Sequence, residues 1–68
     1  MLSYLEAEKF LLYILNEYIR CTEENRLILE LIKDGSWKTA IYEIDKKKYK
    51  PLTTKDCKKL EDIFGLYC

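Results

Sequence analysis

The sequence predicts a small all-α domain of four helices, and three features of the chain favour this fold class. Its 68 residues leave room for one domain, spanning residues 1–68, and they include only 2 Gly and 1 Pro. The composition, 49% hydrophobic and 35% charged, is typical of a folded chain with long regular elements. Apolar residues recur at helical spacing along most of the chain. Because so short a chain buries only about 60% of its unfolded surface, we expect marginal stability and support from a partner.

The first helix is predicted over residues 3–20, where good helix formers follow one another without Gly or Pro. Its apolar residues form two neighbouring rows, whereas a helix packed on one side of a small domain needs only one. The first row, with Phe10 beside it, comprises Tyr4, Ala7, Leu11, Ile14 and Tyr18. The second row comprises Leu5, Leu12, Leu15 and Ile19. We expect this second row to contact a partner protein, most economically a second copy in a homodimer; the alternative is a central helix wrapped by the others.

The second helix is predicted from Glu23 to about residue 34. Thr22 suits its N-cap, and Glu23 and Glu24 place negative charge at the positive end of the helix dipole. Gly35 follows as a C-terminal glycine would. The buried face is predicted to consist of four apolar residues, which are Leu27, Ile28, Leu31 and Ile32.

A third helix is predicted from Ser36, its candidate N-cap, to about Asp45. The residues at helical spacing, expected in the core, are Trp37, Ala40, Ile41 and Ile44. Residues 46–50 then form a basic loop closed by Pro51. The alternative is an α+β fold with a hairpin over residues 39–52, because several residues of this stretch favour strands and the polar residues 45–48 suit a turn.

The fourth helix begins with Thr53 and Asp56, which are spaced as a capping box. Four residues continue it at helical spacing, namely Cys57, Leu60, Ile63 and Phe64. Gly65 is predicted to end this helix, with Leu66 folding back onto it.

Charge is segregated along the chain although the formal net charge is zero. Residues 1–32 carry three basic and six acidic side chains, whereas residues 33–59 carry nine lysines and four acidic side chains. Four of these lysines lie within the basic segment, residues 46–50. The asymmetry predicts a basic footprint on the phosphates of a nucleic acid; the alternative is a solvated lysine-rich loop.

The residue inventory argues against several other classes of function. The chain contains no His, and no nucleotide-binding or hydrolase motif is present, so we predict neither enzyme activity nor a cofactor. Cys21, Cys57 and Cys68 are odd in number and lack metal-ligand spacing, which predicts free thiols, no metal and a cytoplasmic location. The longest apolar run, residues 10–15, is far shorter than the roughly 18 residues of a membrane span, so we expect no membrane contact.

Residues 35–65 resemble the second half of the lambda-repressor and Cro-like (XRE-type) helix-turn-helix domains. In that family a Gly turn precedes the recognition helix, two inward-pointing Ile residues follow, and an acidic residue leads into a short basic loop ending in Pro. The residues at those spacings are Gly35, Ile41, Ile44, Asp45 and Pro51. The end of the family's following helix is matched by Leu60, Phe64 and Gly65.

The resemblance implies a helix-turn-helix over residues 22–65 and a small DNA-binding regulator or accessory factor, with duplex DNA as the favoured partner. The recognition-helix residues that would face base edges are Ser36, Lys38, Thr39 and Tyr42. The residues that would contact phosphates are Lys46, Lys47, Lys48, Lys50 and Lys55. On the hairpin alternative, the basic turn becomes the wing of a winged helix, and Tyr42 or Tyr49 stacks on single-stranded bases.

The competing class is a protein-interaction module, an accessory subunit or inhibitor of the kind that mobile genomes encode, docking through helix 3–20. Its support is the doubled apolar row of the first helix, together with a zero net charge and a pI near 6.2, which are unusual for a lone DNA-binding protein.

Overall fold

Four helices make up the fold, as a computed structural model describing residues 2–68 shows. They are α1 Tyr4–Tyr18, α2 Thr22–Lys33, α3 Trp37–Lys47 and α4 Thr54–Tyr67. The all-α prediction is therefore confirmed. Residues 2–68 contain no strand, so the hairpin alternative at residues 39–52 is wrong. The first part of this stretch is helical because a helix buries Trp37, Ala40 and Ile44, spaced three and four residues apart, on one continuous face.

Two of the helices begin with side-chain caps, of which the sequence predicts the one at Thr53. Ser3 Oγ accepts a hydrogen bond from the Glu6 N–H at 3.2 Å, and Thr53 Oγ1 accepts one from the Asp56 N–H at 3.1 Å. The other two starts are uncapped by side chains: Cys21 precedes α2, which begins at Thr22, and Ser36 precedes α3 without a capping bond. The prediction that Thr22 is an N-cap is therefore wrong, whereas Ser36 stands at the predicted N-cap position without a capping hydrogen bond from its side chain. Both helices begin within one residue of the predicted positions.

The turn between α2 and α3 is closed by Gly35, as predicted. Gly35 adopts φ +84°, a left-handed conformation that side chains disfavour. The N–H groups of Gly35 and Ser36 donate to the carbonyls of Ile32 and Leu31, which is the double hydrogen bond of a Schellman motif. Trp37 adds a third bond, from its indole Nε1 to the Ile32 carbonyl at 3.0 Å. The start of α3 is thus fastened to the end of α2.

The end of α4 differs from its prediction. The helix runs through Gly65 to Tyr67, so Gly65 does not stop it and Leu66 is exposed instead of folding back. A tertiary contact explains the extension: the Tyr67 hydroxyl donates to the Leu2 carbonyl at 2.8 Å, and its ring packs edge-on against Trp37 and Tyr4. Through this aromatic cluster, the end of α4 contacts the starts of α1 and α3.

Side chains of all four helices form the core, in which α1 packs against both α2 and α4. These two contacts of α1 bury or partly bury most of the second apolar row of the first helix. Leu15 and Ile19 are buried and Leu12 packs against the core, while Leu5 is exposed. The prediction that this row faces a partner is therefore wrong for Leu15 and Ile19, because both side chains are buried within the chain where α1 packs against its neighbouring helices.

Candidate functional site

A groove between α2 and α3, here called the α2–α3 groove, is the candidate site. It has a volume of about 580 Å³, and its apolar floor is formed by Leu27, Ile28 and Leu31. Leu27 is 59% exposed, although the sequence predicted it on the buried face; only Ile28 and Ile32 of that set are buried. The predicted face of α2 consists of two neighbouring rows of apolar residues. Contacts with α1 and α3 bury only one of these rows.

Charged side chains form the rim of this groove. The carboxylates on it belong to Glu24, Glu30 and Asp34 of α2 and to Glu43 of α3. One lysine, Lys47, accompanies them among the described residues that line the groove. The sequence places Thr39, Glu43 and Lys47 one turn apart on α3, so their side chains form a row facing α2.

Lys47 lies between two of these carboxylates. Its Nζ is 3.5 Å from Glu24 Oε2 on α2 and 3.4 Å from Glu43 Oε1 on α3. Hydrogen bonding to Glu43, supported by the charge of Glu24, raises the pKa of the Lys47 ammonium above its ordinary value. Since Glu24 stands near the start of α2 and Lys47 ends α3, the two helices run back alongside each other and the groove follows their length.

A second groove lies on the opposite side of α3, against α4. It has a volume of about 500 Å³ and is lined mainly by apolar side chains, with Asp45 and Glu61 among its polar residues. Tyr42 stands at its edge, 55% exposed, with its ring 5.7 Å from that of Phe64. Helix α3 is therefore flanked by carboxylates on both sides.

The basic segment, residues 46–50, is not the free loop that the sequence predicts. Lys46 and Lys47 belong to the last turn of α3. Three of its four lysines form ion pairs within the chain: Lys47 as above, Lys48 with Asp45 at 2.9 Å, and Lys50 with Glu17 at 3.5 Å. These pairs are partly exposed, so water and salt screen them. A ligand can exchange with them, but they reduce the positive charge that the segment presents.

The predicted base-reading residues are split between two surfaces. Lys38, Thr39 and Tyr42 are exposed on α3, as predicted, and Ser36 is half-buried. Thr39 lines the α2–α3 groove, whereas Tyr42 lines the groove against α4. Lys55 lies elsewhere, in the first turn of α4, in a cleft that Phe10 and Tyr13 also line. The structure therefore does not gather these residues into one surface.

One carboxylate is buried within the described part of the chain. Asp56, 8% exposed, accepts hydrogen bonds through Oδ2 from the hydroxyls of Tyr18 at 2.7 Å and Tyr13 at 3.3 Å. The Tyr18 hydroxyl in turn accepts the Thr53 N–H at 3.2 Å, so a tyrosine completes the capping box of α4. Partial burial and the charge of Asp56 raise the pKa of Tyr13. This network joins α1 to α4. It lies outside the α2–α3 groove, where the carboxylates of α2 are found.

Sequence reasoning named Thr39 and Lys47 of the α2–α3 groove as nucleic-acid contacts, but it missed the apolar residues and the carboxylates of this groove. The available signal was the doubled apolar row of α2, in which Leu27 and Leu31 run beside Ile28 and Ile32. The same pattern in α1 predicts the partner surface on that helix instead. Which of the two doubled rows stays uncovered depends on how the neighbouring helices are placed against each helix, and a single sequence does not state this.

Comparison with protein-family models, curated proteins and solved structures finds no match for this chain. Cys21, Cys57 and Cys68 are free, and no three Cys, Asp or Glu side chains among residues 2–68 are grouped to hold a metal ion. In the same range, none of the helices has the length and apolar content that crossing a bilayer requires.

Proposed function

We propose that this protein is a protein-interaction module whose partner docks in the α2–α3 groove. One observation carries the proposal: Leu27 stands 59% exposed over a concave groove whose floor continues into Leu31. A single exposed leucine is ordinary on a protein surface. Neighbouring apolar side chains in a concave, polar-rimmed groove are instead typical of recognition sites. The interaction surface proposed here is therefore α2 with α3, and not the second row of α1.

Electrostatics favours a protein over a nucleic acid at this groove. A phosphate backbone approaching Thr39 meets the carboxylates of Glu43 and Asp34, which repel it. The lysines that would attract phosphates are largely paired with carboxylates of the same chain. Nucleic-acid binding remains the second candidate function, supported by the exposure of Lys38, Thr39 and Tyr42 on the helix that follows the Gly35 turn.

Selection of helical peptides from a phage-displayed library on the full chain tests the proposal. We expect the selected peptides to bind Leu27→Ser about tenfold more weakly or worse, because loss of a central apolar contact commonly costs that much. Leu5→Ser is the matched control, since Leu5 is equally 59% exposed but lies on α1, outside the groove. Its affinity for the same peptides should be unchanged.

Two results would contradict the proposal. Selected peptides could bind Leu27→Ser and Leu5→Ser equally well, which would remove the groove from the interaction. Alternatively, the selection could enrich no peptide while the chain retards labelled duplex or single-stranded DNA in a salt-dependent manner, which would favour the second candidate.

A further inference from the structure

The charge on the rim of the α2–α3 groove specifies the chemistry of its occupant. Glu24, Glu30, Asp34 and Glu43 surround the apolar floor, and Lys47 is the cation beside them. Potentials at protein interfaces are complementary, so a negatively charged rim favours a positively charged partner and disfavours an acidic one. The apolar floor requires, in addition, a partner with an apolar row.

Lys47 shows where a basic side chain of the partner would bind. Two carboxylates from different helices converge on its ammonium, at 3.5 Å for Glu24 and 3.4 Å for Glu43. Both pairs are partly exposed, and exposed pairs contribute little to stability and exchange readily. Lys47 therefore occupies, within the chain, a site that suits the Lys or Arg of another protein.

We infer that the α2–α3 groove binds a basic amphipathic helix of a partner protein, an inference that rests on the function proposed above. The apolar row of that helix lies on Leu27 and Leu31, and its basic side chains contact the rim. One of them displaces Lys47 from between Glu24 and Glu43. A helix fits better than an extended strand because the groove runs between two helices and residues 2–68 offer no strand edge for pairing.

Three designed peptides of about four helical turns test this inference. They share one row of leucines at helical spacing and differ elsewhere, being rich in lysine, glutamine or glutamate. Each is titrated against the isotopically labelled full chain, with binding followed by NMR. We expect the lysine-rich peptide to bind most tightly and the glutamate-rich peptide least, with shifts concentrated on α2 and α3. Added salt should reduce the difference between them.

A matched pair of variants assigns the effect to the rim. Glu43→Gln should weaken the lysine-rich peptide about two- to fivefold, as expected for the loss of one exposed charge contact. Glu61→Gln removes an exposed carboxylate on α4, outside the groove, and should leave the affinity unchanged. Equal effects of the two variants would overturn the inference.

The possible negative results distinguish a wrong inference about the partner's chemistry from a failure of docking itself. If all three peptides bind equally and Leu27→Ser weakens all of them, the groove docks helices but does not select basic ones, and only the inference is wrong. If light scattering finds a dimer that Leu27→Ser disrupts, the occupant is a second copy of the chain, which also overturns the inference. If none of the three peptides binds while peptides selected from the library bind in a Leu27-dependent manner, the groove docks a partner of other chemistry, and only the inference is wrong.

Discussion

Two polar clusters each join a pair of helices through carboxylates, and they differ in their exposure to water. The first joins α1 to α4 through the buried Asp56, which accepts hydrogen bonds from Tyr18 and Tyr13. The second joins α2 to α3 through Lys47, held between Glu24 and Glu43 at the rim of the α2–α3 groove. The side chains of this second cluster remain about one-third exposed.

Because of this difference in burial, we expect the first cluster to stabilise the fold and the second to be available for binding a partner. A buried carboxylate that loses a hydrogen bond keeps its desolvation cost, so the Asp56 network is fixed once the chain folds. An exposed ion pair that opens is solvated at once, so Glu24 and Glu43 can exchange Lys47 for a ligand with little change in stability. The molecule thus has a buried carboxylate where α1 meets α4 and partly exposed ion pairs where α2 meets α3.

The largest effect on stability should come from breaking the hydrogen-bond network of Asp56 between α1 and α4. Tyr18→Phe removes the hydroxyl that donates to Asp56 and accepts the Thr53 N–H, leaving both groups without this partner. We expect the free energy of unfolding to fall by about 1–3 kcal/mol, measured by urea denaturation. Tyr42→Phe, at an exposed tyrosine, is the control and should change it little. Equal effects would contradict the structural role of the network.

Two glycines sharpen the comparison with effects of opposite sign. Gly35→Ala forces a side chain into φ +84° at the turn that positions α3 against α2, and should destabilise the fold by about 1–2 kcal/mol. Gly65→Ala lies within α4, with no atom within 4 Å of an added Cβ, and should stabilise the fold by about 0.4–1 kcal/mol. Thermal and urea denaturation measure both. A stabilising Gly35→Ala would show that the turn does not require the left-handed conformation.

Local signals predicted the fold well, because they act over a few residues. The cap at Thr53, the turn at Gly35 and the apolar spacing of α3 all appear in the structure as the sequence indicated. The error at Gly65 arose because a distant contact, between Tyr67 and Leu2, extends α4 beyond a residue that often ends helices.

The candidate site was predicted less well, because it depends on how helices are arranged. Four lysines in five residues indicated a phosphate-binding loop, but Lys47 and Lys50 meet carboxylates on helices far away in sequence. An apolar row likewise does not reveal which of its residues the neighbouring helices cover: Leu15 is buried in the core, whereas Leu27 stays exposed although α2 packs against both α1 and α3. Both distinctions require tertiary contacts that spacing within one helix does not contain.

Lys47→Gln tests the central claim most directly, because the two candidate functions predict effects of opposite sign. Its urea midpoint should match that of Lys58→Gln, a control with the same change of net charge on α4 outside the groove. With Glu24 and Glu43 released from their internal cation, we expect Lys47→Gln to bind the lysine-rich peptide about two- to fivefold more tightly than wild type and than Lys58→Gln, measured by fluorescence anisotropy. Unchanged or weaker peptide binding, together with weaker binding of duplex DNA, would contradict the account and make Lys47 a phosphate contact.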